Sequence, residues 1–99
     1  MESIEKCIAA CKKCKYLFRM NESHPCFISC DDCSHVCEFV NKHKLSNPIL
    51  DNLSLQLCIR ACKICIKECK KHADEHIQCA NCVEACQECI DCCTEELIK

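Results

Sequence analysis

The sequence predicts an all-α fold, an antiparallel up-down four-helix bundle with a core lined by cysteine. Three observations carry that expectation. The 99 residues include no Gly and only two Pro, so little interrupts a helix. The breakers that exist cluster at Asn21–Pro25, at Asn47-Pro48 and more weakly at Ala73-Asp74. Finally, all of the 17 cysteines except Cys92 recur in alternating steps of four and three, the a/d spacing of a helix packed on partners.

The elements follow in order. A first helix over about 3–20 carries Cys7, Cys11 and Cys14. Ser23 is the expected N-cap of the second, about 24–43, with Pro25 tolerated in its first turn; it carries Cys26, Cys30, Cys33 and Cys37. Asn47 as N-cap and Pro48 at the first helical position open the third, about 48–72, with Cys58, Cys62, Cys65 and Cys69. Asp74 is the expected cap of the fourth, about 75–98, with Cys79, Cys82, Cys86, Cys89 and Cys93. Short connections make successive helices antiparallel neighbours within one domain, 1–99. Cys92 stands off register, and helical drift across a heptad is expected to let it lean inward.

Such cysteine density usually marks a small secreted disulfide scaffold. Here the count is odd, turn residues are scarce, and the first twenty residues carry Lys6, Lys12, Lys13, Lys15 and Arg19 rather than an apolar signal. A reducing, cytoplasmic home is therefore expected, where clustered cysteine more often means metal. Lys and Glu are interspersed at a net charge of −2 and aromatic residues make up 4%, so no nucleic-acid partner is expected. No apolar run approaches membrane-spanning length, so no membrane partner is expected either. No nucleophile–base pair or Gly-rich phosphate loop stands out, so the chain does not read as an enzyme.

A cysteine core chosen only for packing would be smaller and more cavity-prone than one of Leu and Ile. Ile8, Leu17, Ile59, Ile66, Val83 and Ile90 lie beside the seam as apolar support for a metal-free bundle. Cys7-Cys11-Cys14 also has the C-x3-C-x2-C form of a radical iron–sulfur site. The same spacing continues at helical period in the other segments, so the match is a by-product of the heptad.

A long seam of thiols suits an ion that takes few ligands and accepts bridging thiolates, and soft sulfur selects Cu(I), zinc and iron–sulfur clusters. If each Cu(I) takes two bridging thiolates, the ratio is about one copper per cysteine, on the order of fifteen ions. Each +1 ion then meets one −1 thiolate and the filled core is nearly neutral. Zn(II) at the same ratio would bury surplus positive charge. Buried thiols should be neutral before loading, and loading should release protons. Cu(I) storage or detoxification is the leading reading, and a zinc- or cadmium-buffering, metallothionein-like protein is the alternative.

The seam also has a direction. One end runs out into Ile4, Val40, Leu55 and Leu97, an apolar plug. The other runs out into Phe18, with Met20 just beyond, and into His72 and His76, with His24 opening the second helix nearby. His72 and His76 are candidate ligands at an open mouth. Met20 and His24 are possible entry residues. Met20 reads first as core filler, and His24, off register, first as a surface group. His35, His43, Lys12, Lys13, Lys70 and Lys71 read as solvated surface.

Repeated C-x3-C-x2-C-x3-C runs on four helices resemble the bacterial four-helix-bundle copper storage proteins. The resemblance covers nearly the whole chain and is most specific over Cys26–Cys37, Cys58–Cys69 and His76–Cys93. It implies multinuclear Cu(I)-thiolate binding and a homo-oligomer that is often a tetramer, and without an export signal the chain looks like the cytosolic branch. A copper chaperone is the expected donor. The chain is short for that family, and its first helix has only three cysteines, with Phe18 where a fourth would stand.

Overall fold

The computed structural model describes residues 1–99 as four helices: α1 (Glu2–Leu17), α2 (Pro25–Lys42), α3 (Pro48–Lys70) and α4 (Ile77–Leu97). They form a bundle 41 × 21 × 19 Å in extent. Each helix packs on two neighbours, α1 and α3 both on α2 and α4, so the four stand at the corners of a square. No helix is long and apolar enough to cross a membrane.

The helix starts show what the local sequence does. Glu2 and Glu5 lie in the first turn of α1 and Lys15 in its last, each favourable to the helix dipole. Asn47 caps α3 as expected, its side-chain oxygen accepting from the Ile49 and Leu50 N–H groups at 2.9 and 3.3 Å. The cap of α2 is a correction: it is His24, not Ser23, whose hydroxyl donates to Asn21 instead. Pro25 at the first helical position disfavours helical backbone in the residue before it, and His24 accordingly sits extended at φ −62°, ψ 134°. Its Nδ1 accepts from the Cys26 N–H at 3.0 Å.

The start of α4 is a second correction. Asp74 does not cap it; the N-cap is His76, with no side-chain cap bond. The chain leaves α3 through tight turns, in which His72 N–H donates to the Cys69 carbonyl and the Glu75 and His76 N–H groups donate to the His72 carbonyl. Those bonds use the backbone that an earlier start would need, so α3 ends and α4 begins two residues inside the expected limits. α1 likewise ends at Leu17 rather than near Met20.

Every cysteine of the alternating register is fully buried, as is Ile4, and Leu55 and Ile90 are buried beside them. Ile8, Leu17, Ile59, Ile66 and Val83 pack beside them, partly buried. Lys15–Asp31 and Lys12–Glu38, at 2.8 and 2.9 Å, tie α1 to α2 across the surface. Lys12 thus has a partner as well as solvent. Solvent screens such exposed pairs, so the core rather than these ties holds the bundle.

Candidate metal centre

Steps of four and three keep each Cys on the side of its helix that faces the bundle axis. Because the side chain is short, sulfurs from four helices meet there. Near the end where α1 and α3 finish, Cys14 Sγ lies 3.6 Å from both Cys69 and Cys79, and Cys30 lies 3.5 Å from Cys69 and 3.6 Å from Cys65. In the middle, Cys7 is 3.6 Å from Cys86 and Cys33 is 3.7 Å from Cys62. Towards the other end, Cys58 is 3.6 Å from Cys37 and 3.8 Å from Cys89. Cys11 and Cys82, 3.8 Å apart, link the levels. All these cysteines are free thiols. Several sets of four have every sulfur within 4.8 Å of the others, among them Cys14, Cys30, Cys69 and Cys82, one from each helix.

This core is chemically uniform. No buried side-chain nitrogen or oxygen is left without a hydrogen-bond partner. The two buried serines, Ser29 and Ser34, donate to carbonyls of their own helix. Sulfur is therefore the one donor type facing the axis. Burial pushes the Cys26 thiol up to about 11, because its thiolate would lose water without gaining a partner charge. Cys33 is brought down to about 6 by the thiols of Cys11, Cys37 and Cys62, which donate to its thiolate. Cys26 therefore keeps its proton more firmly than an ordinary thiol, and Cys33 gives its proton up more readily.

Cys26 and Cys93 end the network. Cys26 Sγ donates to the Glu68 carbonyl at 3.4 Å rather than to another sulfur. Beyond Cys93 the bundle is sealed, with Ile4 and Leu55 buried and Val40 and Leu97 packed against them. At the opposite end the rings of Phe18, His24, His72 and His76 gather. Phe18 stacks on His24 with centroids 4.2 Å apart, His72 and His76 lie 5.6 and 6.1 Å from Phe18, and His24 lies 5.1 Å from His72. This end is therefore roofed by rings rather than open.

Three expectations change here. His24 is not a stray surface group: as N-cap its side chain folds back over the helix start and joins the cluster, a placement that heptad register does not encode. Met20 is not core filler; it is 92% exposed in the turn after α1, and Phe18 occupies the inward position. Cys92 does not lean inward. Cys93 holds the seam position, and a neighbour turned by about 100° around the helix points elsewhere. Cys92 is half-buried, with its Sγ 3.1 Å from the Met1 sulfur. His35, exposed and 3.8 Å from Asp31, and His43, against Phe39, stay outside the centre.

A model of the family described as copper storage protein matches residues 1–98. The chain belongs to the copper storage protein family. No curated protein and no solved structure matches it. The family is one of storage rather than catalysis, and in this copper storage protein the buried cysteine cluster is a core able to hold metal. Copper is cargo here, and an all-sulfur donor set fits a soft metal.

Proposed function

We propose that the chain stores or detoxifies Cu(I) in the cytoplasm and binds many ions through its core thiolates, with no enzymatic role. The observation that carries this reading is the continuous run of thiols 3.5–4.0 Å apart from Cys14 to Cys89. A monovalent ion sharing bridging thiolates fills such a run at about one per cysteine and leaves it near neutrality. That avoids the large cost of burying net charge. Free thiols need a reducing compartment, which supports the cytoplasmic placement.

The seam cysteines are the ligands in this reading, and Cys92 is a peripheral one. His72 and His76 serve as exchangeable ligands where a copper chaperone delivers its ion, with His24 beside them and Met20 on the approach. Homo-oligomerisation belongs to the same reading. Leu50, Leu53, Leu57 and Ile64 form an exposed apolar stripe along the outer face of α3, the kind of surface that packs against another bundle.

Anaerobic Cu(I) titration tests the proposal. Saturation near one ion per seam cysteine, with proton release and little gain of helix, is the expected result. Saturation at about four ions would overturn it.

A further inference from the structure

The sulfur spacing speaks to a second class of ion. A tetrahedral metal with M–S bonds of about 2.3 Å needs sulfurs about 3.8 Å apart along each edge. In the metal-free core the neighbouring sulfurs already lie 3.5–4.0 Å apart. Some of these sulfurs gather in sets of four that lie within 4.8 Å of one another, close enough to draw in to such an edge; the sets overlap, so their number is not the number of ions. Three of them share no cysteine. The first joins Cys14, Cys30, Cys69 and Cys82 beneath the ring cluster. The second joins Cys7, Cys11, Cys33 and Cys86 at mid-height. The third joins Cys37, Cys58, Cys62 and Cys89 nearest the plug.

We infer that this core also takes soft divalent cations of the Zn(II) or Cd(II) class, as three separate tetrathiolate sites stacked along the axis. The inference does not rest on the copper reading, since it uses only sulfur geometry and the four-ligand preference of these ions. Cys26, Cys65, Cys79 and Cys93 belong to none of the three sets. The sets Cys7, Cys33, Cys37, Cys62 and Cys11, Cys65, Cys82, Cys86 each borrow cysteines already used, so they add no further four-coordinate site once the three are filled.

Charge makes this the weaker mode. A divalent ion on four thiolates leaves a net charge of −2 in a buried place, whereas one Cu(I) per thiolate leaves none. Divalent ions are therefore held when they are alone and give way to Cu(I), the metal-bound thiolates passing to copper and the protons of the remaining thiols going to solvent.

The test uses the full-length chain, reduced and metal-free, under anaerobic conditions, with Cd(II) alone as probe. Native mass spectrometry gives the count, and cadmium NMR together with thiolate charge-transfer absorption gives the ligand set. Three Cd(II) per chain, all with four-sulfur signatures, is the expected result. Saturation at any other number, or sites with fewer than four sulfurs, overturns the inference. Cys30→Ser and Cys89→Ser each remove one set and should each lower the count to two. Cys65→Ser and Cys26→Ser should leave it at three. Helix content by circular dichroism shows which variants still fold, and loss of a Cd(II) from folded Cys26→Ser would also overturn the inference. A Cu(I) titration of the same preparation is read separately. A low copper count beside three Cd(II) would fail the storage proposal and leave this one standing.

Discussion

Where α1 and α3 begin, the cysteine seam runs out into Ile4, Val40, Leu55 and Leu97; where they finish, it runs out into Phe18, His72 and His76, with His24 folded across. The heptad register is the same at both ends, and the chemistry is opposite. Hydrocarbon excludes an ion and contributes burial. Imidazole tolerates water and offers a nitrogen that a soft ion can take and leave. On the proposed reading one end serves stability and the other serves traffic, and substitutions should separate the two roles.

The largest effect is expected at the plug. Ile4 is fully buried, so Ile4→Ala should cost about 2–5 kcal/mol of metal-free stability, read by denaturant unfolding. Cu(I) uptake rates by the folded fraction should be unchanged. If Ile4→Ala instead admitted copper faster, the plug would be a second door and the contrast between the ends would fail.

Next come the histidines. The double variant His72→Ala/His76→Ala should slow Cu(I) uptake from a chelator by about tenfold, equivalent to ~1.4 kcal/mol in the barrier, with the final count lowered little if at all. Stopped-flow loading decides this, and an unchanged rate would remove traffic from this end.

Alkaline pH sharpens the contrast from the mouth side. The Cys26 thiol is raised from its ordinary value near 9 to about 11 by burial. Between those values the unfolded chain releases this proton and the folded chain keeps it. Metal-free stability is therefore full below about pH 9 and should fall as the pH rises towards 11. Cys26→Ser should flatten part of that slope in melts taken across the range.

A smaller effect separates the two tasks of His24. His24→Ala should cost about 1 kcal/mol through the lost helix cap. His24→Asn keeps a capping oxygen and should recover most of that stability, while still lacking the ring that stacks on Phe18. Loading kinetics of the Asn variant then report on the ring alone. Cys92→Ser should be smallest, within about 0.5 kcal/mol in stability because it lies outside the seam.

Much of this was legible in the residues because one rule governed most of the chain. Alternating steps of four and three named every buried cysteine, and the same register extended past them named Ile4, Leu55, His72 and His76. Where a different rule took over, the reading failed. Residue 24 is placed by Pro25 and by capping, residue 74 by the turns that follow Cys69, and residue 20 by the early end of α1. Cys92 failed for a related reason, since register says which residue faces the axis but not what its neighbour meets.

By itself the sequence determined the number of helices, the inward face of each and the soft-donor character of the core, because period and residue type are local properties. Only the tertiary structure decided which sulfurs from different helices come within 4 Å, and that His24 joins Phe18, His72 and His76 as a roof over one end. Those facts depend on the relative height and rotation of four packed helices, which no spacing along a single chain encodes.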